Sequence, residues 1–149
     1  MTKEYTVKID DFGTKEWFLD DMRHREDGPA VEYVCGDKFW YLNDRLHRED
    51  GPAIEFANGD ISWHIKGKRH REGGPAVECS NGTKYWYLND KLHREDGPAV
   101  ELARGIKEWF IHGVQYTEEE FNKKMNKNSG SNKIVEIDGI KYRLVPVEE

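Results

Sequence analysis

Four tetrads concentrate the groups of this chain that could do chemistry: His-Arg-Glu-Asp at 24–27, 47–50 and 93–96, and His-Arg-Glu-Gly at 70–73. Imidazole and carboxylate are metal ligands and acid–base groups, and guanidinium grips phosphate or carboxylate. Spacing argues against a shared metal site. The tetrads recur every 23 residues, and if each copy is a pair of strands, equivalent loops stand about 10 Å apart at a strand spacing near ~4.8 Å. Zinc requires every ligand within about 2.0–2.3 Å, so His24, His47, His70 and His93 cannot converge on one ion. Each loop holds a single histidine, and the third lacks its aspartate at Gly73. No metal and no cofactor is expected. Recurrence in every unit predicts a structural ladder in which Arg25, Arg48, Arg71 and Arg94 bridge carboxylates of their own and neighbouring loops, while Asp27, Asp50 and Asp96 cap the turn before Gly-Pro.

Other chemistry has less support. The chain has no nucleophile elbow, phosphate-cradling glycine loop or zinc signature, and Cys35 and Cys79 occupy non-equivalent repeat positions, which predicts two reduced thiols and no disulfide. A net charge of -6 opposes binding to phosphate backbones despite the arginines and aromatics. No apolar run reaches membrane-spanning length and the first residues lack a signal-peptide pattern, so no membrane partner is expected and the compartment expected is the cytoplasm.

The elements that must position the tetrads follow from the same period. WYLNDRLHREDGPAIEF at 40–56 returns as WYLNDKLHREDGPAVEL at 86–102, and Trp17, Trp40, Trp63, Trp86 and Trp109 share the 23-residue spacing. Such a period predicts a stack of identical supersecondary units. The array spans 1–115, with a half repeat at 5–16, four repeats over 17–108 and a partial one at 109–114. Each unit reads as two strands. AVEY, AIEF, AVEC or AVEL runs into a turn at Cys35-Gly36, Asn58-Gly59, Asn81-Gly82 or Arg104-Gly105, and KFWYL, ISWHI, KYWYL or KEWFI returns. The fold class expected is all-β, an elongated single-layer meander of antiparallel hairpins with a short capping helix and a C-terminal hairpin. With 36% hydrophobic, 35% charged and 12% aromatic residues, its core must be thin and largely aromatic.

Period-two alternation divides the strands. Trp40 with Leu42, and their equivalents, take one face, which Val31, Tyr33, Ile54 and Phe56 are expected to join. The other is expected to carry Phe39, Tyr41, His64, Tyr85, Tyr87 and Phe110 beside Glu55 and Glu78, a mixed aromatic and acidic surface and the candidate binding site. Ser62 and His64 stand where other copies have aromatics, between Tyr41 and Tyr87, and could form a concave spot. Thr117 with Glu120 reads as a capping box, placing a helix over 116–125 against the open end of the array. Residues 126–133 read as a linker. IVEIDGIKYRLV, within 134–147, reads as a hairpin turning at Asp138-Gly139, through which copies of the chain could associate.

The repeated W-Y-x-N-G/D turn followed by LHREDGPA resembles variants of the MORN repeat and is similar to arrays in proteins of large tailed phages and giant viruses. The resemblance covers about three quarters of the chain. It implies a single-layer β-meander used as a binding scaffold, with some bacterial relatives antitoxin-like. The function expected is therefore non-enzymatic: a phage-encoded inhibitor or antitoxin-like protein that binds a host or defence protein. The alternatives are a sponge for a phosphorylated small molecule or nucleotide, and a hydrolase dependent on His64.

Overall fold

The computed structural model describes residues 3–130 and 134–143. They form an antiparallel meander whose principal sheet has 12 strands and does not close into a barrel. It runs from Thr6–Ile9, paired with Lys15–Leu19, to Lys107–Ile111, paired with Val114–Tyr116. Within the array one pattern repeats. In the second unit, Ile54–Glu55 pairs with Lys38–Phe39 on one side and Ile61–Ser62 on the other. Beyond Trp40 the outgoing strand continues as Tyr41–Leu42 and turns back through Arg45–Leu46. The turn is left-handed at both central residues, with φ of 51° at Asn43 and 58° at Asp44, the geometry that matches the twist of adjacent strands.

The returning strand is interrupted opposite each tryptophan. Trp40 accepts a backbone hydrogen bond from His47 at 3.0 Å and donates one to Ala53 at 2.8 Å. Residues 48–52 are thereby extruded as a large bulge while both ends stay in the sheet. Trp17, Trp63 and Trp86 make the same pair of bonds. Ala30, Ala53, Ala76 and Ala99, where the loop rejoins the sheet, are completely buried. Units are tied to one another on the far half of the strands, where Arg48 donates to the His64 carbonyl and Gly67 to the Leu46 carbonyl.

The hairpin turn is one residue longer than expected, and this reverses the face assignment. Tyr33 donates to the Asp37 carbonyl and Gly36 to the Tyr33 carbonyl, so Val34, Cys35 and Gly36 form a three-residue loop ending in a glycine at φ 100°. Val31 is consequently opposite Phe39, and a two-residue turn would have set it opposite Trp40. A slip of one residue moves every side chain to the other face. Cross-strand partners Val31, Phe39, Ile54, Ser62, Val77, Tyr85 and Val100 therefore share one face. Tyr33 and Phe56 join it, each edge-on to Phe39 at 5.7 Å. The tryptophans lie on the opposite face with Glu32, Glu55, Glu78 and Glu101.

The helix spans Glu118–Gly130. Glu120 accepts from the Thr117 backbone at 2.9 Å and Thr117 Oγ1 accepts from the Glu120 backbone at 3.2 Å, the expected capping box. Phe121 is buried, and the helix contacts Lys107–Ile111 and Val114–Tyr116, covering that end of the sheet. Its last turns occupy 126–130, where a linker was expected; 131–133 lie outside the described residues. Ile134–Ile137 and Ile140–Arg143 pair around a left-handed Asp138-Gly139 turn, as expected, and 144–147 are outside the description.

Candidate functional site

The loop face is built around four stacked arginines. Arg25, Arg48, Arg71 and Arg94 lie 4.2, 4.2, 4.0 and 4.1 Å above the rings of Trp17, Trp40, Trp63 and Trp86. In the second unit, Arg48 Nη1 donates to the Pro52 carbonyl at 3.2 Å and to Glu55 Oε1 at 2.9 Å, and Nε donates to Asp50 at 3.0 Å. The bridges close within each unit, as expected for carboxylates of the arginine's own loop, and the expected bridges to neighbouring loops are not among them. The aspartates answer their own arginine and do not serve as turn caps alone; at Asp27 the Arg25 hydrogen bond holds the carboxyl below its ordinary value. Gly-Pro has a steric reason. A methyl on Gly51 would sit 2.6 Å from Arg48 Cζ, so glycine lets the guanidinium lie between the indole and the loop backbone.

The histidines link units. His47 Nδ1 accepts from Lys66 N–H and His93 Nδ1 from His112 N–H, each at 3.0 Å; His24 and His70 accept from Asn43 and Asn89 at 3.3 Å. At His47 and His93 this acceptance puts the proton on Nε2, which approaches the loop glutamate two residues on, at 3.6 Å for Glu49 and 3.7 Å for Glu95, whereas at His24 Nδ1 also lies 2.7 Å from Asn43 Oδ1, an acceptor. At His93, burial and the neighbouring His112 lower the pKa. Among the described residues no group of three or more His, Cys, Asp or Glu is placed to hold a metal ion.

Below the arginines, cross-strand rows alternate in charge. Lys15, Glu32, Lys38 and Glu55 are successive partners, and Glu78, Lys84, Glu101 and Lys107 continue the row after Ile61. Opposite charges directly across a strand pair are favourable. These lysines are absent from the residues singled out by the repeat motif, although their position two residues before four of the five tryptophans is a usable signal. Glu55 and Glu78 are part of this frame, bound to Arg48 and Arg71. They do not accompany the aromatic candidates.

The opposite face brings the other candidates together. Phe39, Tyr41, Tyr85, Tyr87 and Phe110 are half-buried, with Tyr85 and Tyr87 6.3 Å apart. Tyr33 and Phe56 extend the patch with more than a third of their surfaces exposed. Where the copies differ, the expected hollow is filled: Ser62 and His64 are only 8% and 9% exposed, and Ser62 Oγ lies 2.9 Å from His64 Nε2. Burial pushes the His64 pKa down, and its Nδ1 has no hydrogen-bond partner. A Ser–His contact of this length is chemically usable in an open cleft, but here both groups are buried and the imidazole has no carboxylate bonded at Nδ1. Arg69, opposite His64, lies 4.0 Å over Tyr87 and donates from Nε to Asp90 at 2.9 Å.

No helix among the described residues is long and apolar enough to cross a membrane. No protein-family model matches the chain, and comparison with curated proteins gives no match either.

Proposed function

We propose that this chain is a non-enzymatic protein-binding scaffold, a MORN-like array whose aromatic face docks on another protein. The observation that supports this reading most is the contrast in coverage across one sheet. The stacked arginines of the loop face are each held by a glutamate of their own unit, whereas on the other face Tyr33, Phe39 and Phe56, and Tyr85 with Tyr87, form part-exposed aromatic clusters. Aromatic side chains are enriched at interfaces, and tyrosine is among the residues that carry most of their affinity. The resemblance to phage arrays gives the finer form of the proposal, an inhibitor or antitoxin-like protein acting on a host or defence protein in the host cytoplasm.

Affinity capture from a bacterial lysate tests it, comparing the natural chain with a Tyr41→Ala/Tyr87→Ala variant shown by circular dichroism to remain folded at the temperature of capture. A protein retained by the first and lost by the second supports the reading. Undiminished retention by the variant contradicts it.

A further inference from the structure

The third loop breaks the frame at one point, on the face opposite the aromatic patch. In the other three units the arginine Nε donates to the loop aspartate, at 2.8 Å from Arg25 to Asp27, 3.0 Å from Arg48 to Asp50 and 2.7 Å from Arg94 to Asp96. Arg71 keeps the Pro75 carbonyl at 3.0 Å and Glu78 at 2.8 Å, both through Nη1, but Gly73 has no side chain to meet Nε. Gly73 also takes φ 75°, a left-handed conformation not shared by Asp27, Asp50 or Asp96. The loop is therefore shaped differently as well as missing a carboxylate. Under the same guanidinium, Trp63 Nε1 is buried without an acceptor. Beside Arg71 lies a groove of about 420 Å³ lined also by Gly73, Gly74, Trp86, Leu88 and His93; the equivalent groove beside Arg25, of about 650 Å³, keeps its aspartate, Asp27.

We propose that this notch binds a carboxylate supplied by a second molecule, received by Arg71 in place of the missing aspartate, with an apolar substituent lying along Trp86 and Leu88. The sibling loops specify the ligand class, since a carboxylate fills the equivalent position in each. Charge-assisted donation from guanidinium to carboxylate is strong and directional. Three acidic groups also line the groove: Asp96 is held by Arg94, and Glu95 and Glu72 lie toward His93 and His70 at 3.7 and 3.9 Å, while none of them reaches Arg71. The site is independent of the aromatic-face interface. Its ligand is either a free small carboxylate or the carboxyl end of a peptide, which share this chemistry.

Titration of the full chain with sodium acetate, N-acetylleucine and inorganic phosphate at constant ionic strength, followed through arginine Nε–H and tryptophan indole N–H resonances, tests the proposal. Both carboxylates are expected to shift Arg71 saturably while Arg25, Arg48 and Arg94 stay unmoved. A Gly73→Asp variant whose Arg71 Nε–H resonance has moved toward those of its siblings, the sign that an aspartate at this left-handed position has reached the guanidinium, should weaken the response by roughly tenfold or more. A gain of roughly tenfold for N-acetylleucine over acetate is expected from the contact with Trp86 and Leu88 and fits a peptide end, and equal affinity would overturn that apolar contact. No selective shift at Arg71, an equal response in that Gly73→Asp variant, or tighter binding of phosphate than of either carboxylate would overturn the proposal.

Discussion

Trp40 and Tyr41 are neighbours in sequence and point to opposite faces of a single-layer sheet, and their surroundings differ in kind. Trp40 is roofed by Arg48, which is itself fixed by Glu55, Asp50 and the Pro52 carbonyl. Tyr41 lies under a looser cover, with Arg23 5.8 Å from its ring. One face uses its aromatics to hold each unit together, and the other leaves aromatics available to a partner. A sheet without a second layer must find its packing within the chain, and here an extruded loop folds back to supply it.

The sharpest break of this comparison is a pair of truncations. Trp40→Ala should lower unfolding free energy by about 3 kcal/mol, because it removes a large aromatic and the floor on which Arg48 rests. Tyr41→Ala should cost no more than about 1 kcal/mol. Urea denaturation of both variants checks the difference, and equal losses would erase the distinction between frame and surface.

Next in size is Gly51→Ala. The added methyl meets the guanidinium at 2.6 Å, whereas at Gly74 the corresponding distance is 3.1 Å. Displacing Arg48 from its slot should cost about 1–3 kcal/mol, with a smaller loss for Gly74→Ala. Thermal melts of the two variants rank them, and the reverse order would remove the steric account of Gly-Pro.

Protonation probes the filled hollow on the aromatic face. The folded pKa of His64 lies below the ordinary 6.5, as does that of His93, so the unfolded chain binds these protons more readily. Stability should be complete above about pH 6.5 and fall as pH drops through that value toward the depressed folded pKa. Replacing Ser62 and His64 together by tyrosine, the residues of the fourth unit at 85 and 87, should flatten the decline between about pH 7.5 and pH 5.5. An unchanged slope in denaturation midpoints would assign the effect elsewhere.

The smallest effect concerns the exposed loop aspartates. Asp50→Gly copies the third loop, and because Asp50 is 87% exposed its ion pair is heavily screened. A loss below about 1 kcal/mol is expected, reduced further by added salt. A larger loss in chemical denaturation would mean that the frame depends on the very group Arg71 lacks.

Much of the fold was legible because the period was carried by residues with strong local meaning. Tryptophan marked the outgoing strand, left-handed turns marked its reversal and Gly-Pro marked the loop. Faces were harder to read. Gly36 requires a left-handed turn position, but sequence alone did not distinguish the second residue of a two-residue turn from the third of a three-residue turn, and that single residue decides whether Val31 meets Trp40 or Phe39. For the same reason Glu55 and Glu78 were grouped with the aromatics when they belong with Arg48 and Arg71. The Arg–Trp stacks were hidden for a different reason. They depend on a bulge in which His47 and Ala53 both bond to Trp40, and no local propensity announces two chain segments meeting one residue. The helix end was also unclear, since Asn126 to Gly130 have the composition of a linker yet continue the hydrogen-bonded turns begun at Thr117.

The division of labour between the two faces is tested most directly by measuring, by calorimetry, the affinity of the chain for the protein it captures, using paired surface variants. Tyr41→Ala/Tyr87→Ala alters the aromatic face, and Glu49→Ala/Glu95→Ala alters the exposed loop edge by the same number of side chains. Binding should weaken by roughly tenfold or more in the first and change less than about threefold in the second. Equal losses, or a loss confined to the loop variant, would contradict the assignment of the aromatic face as the interface.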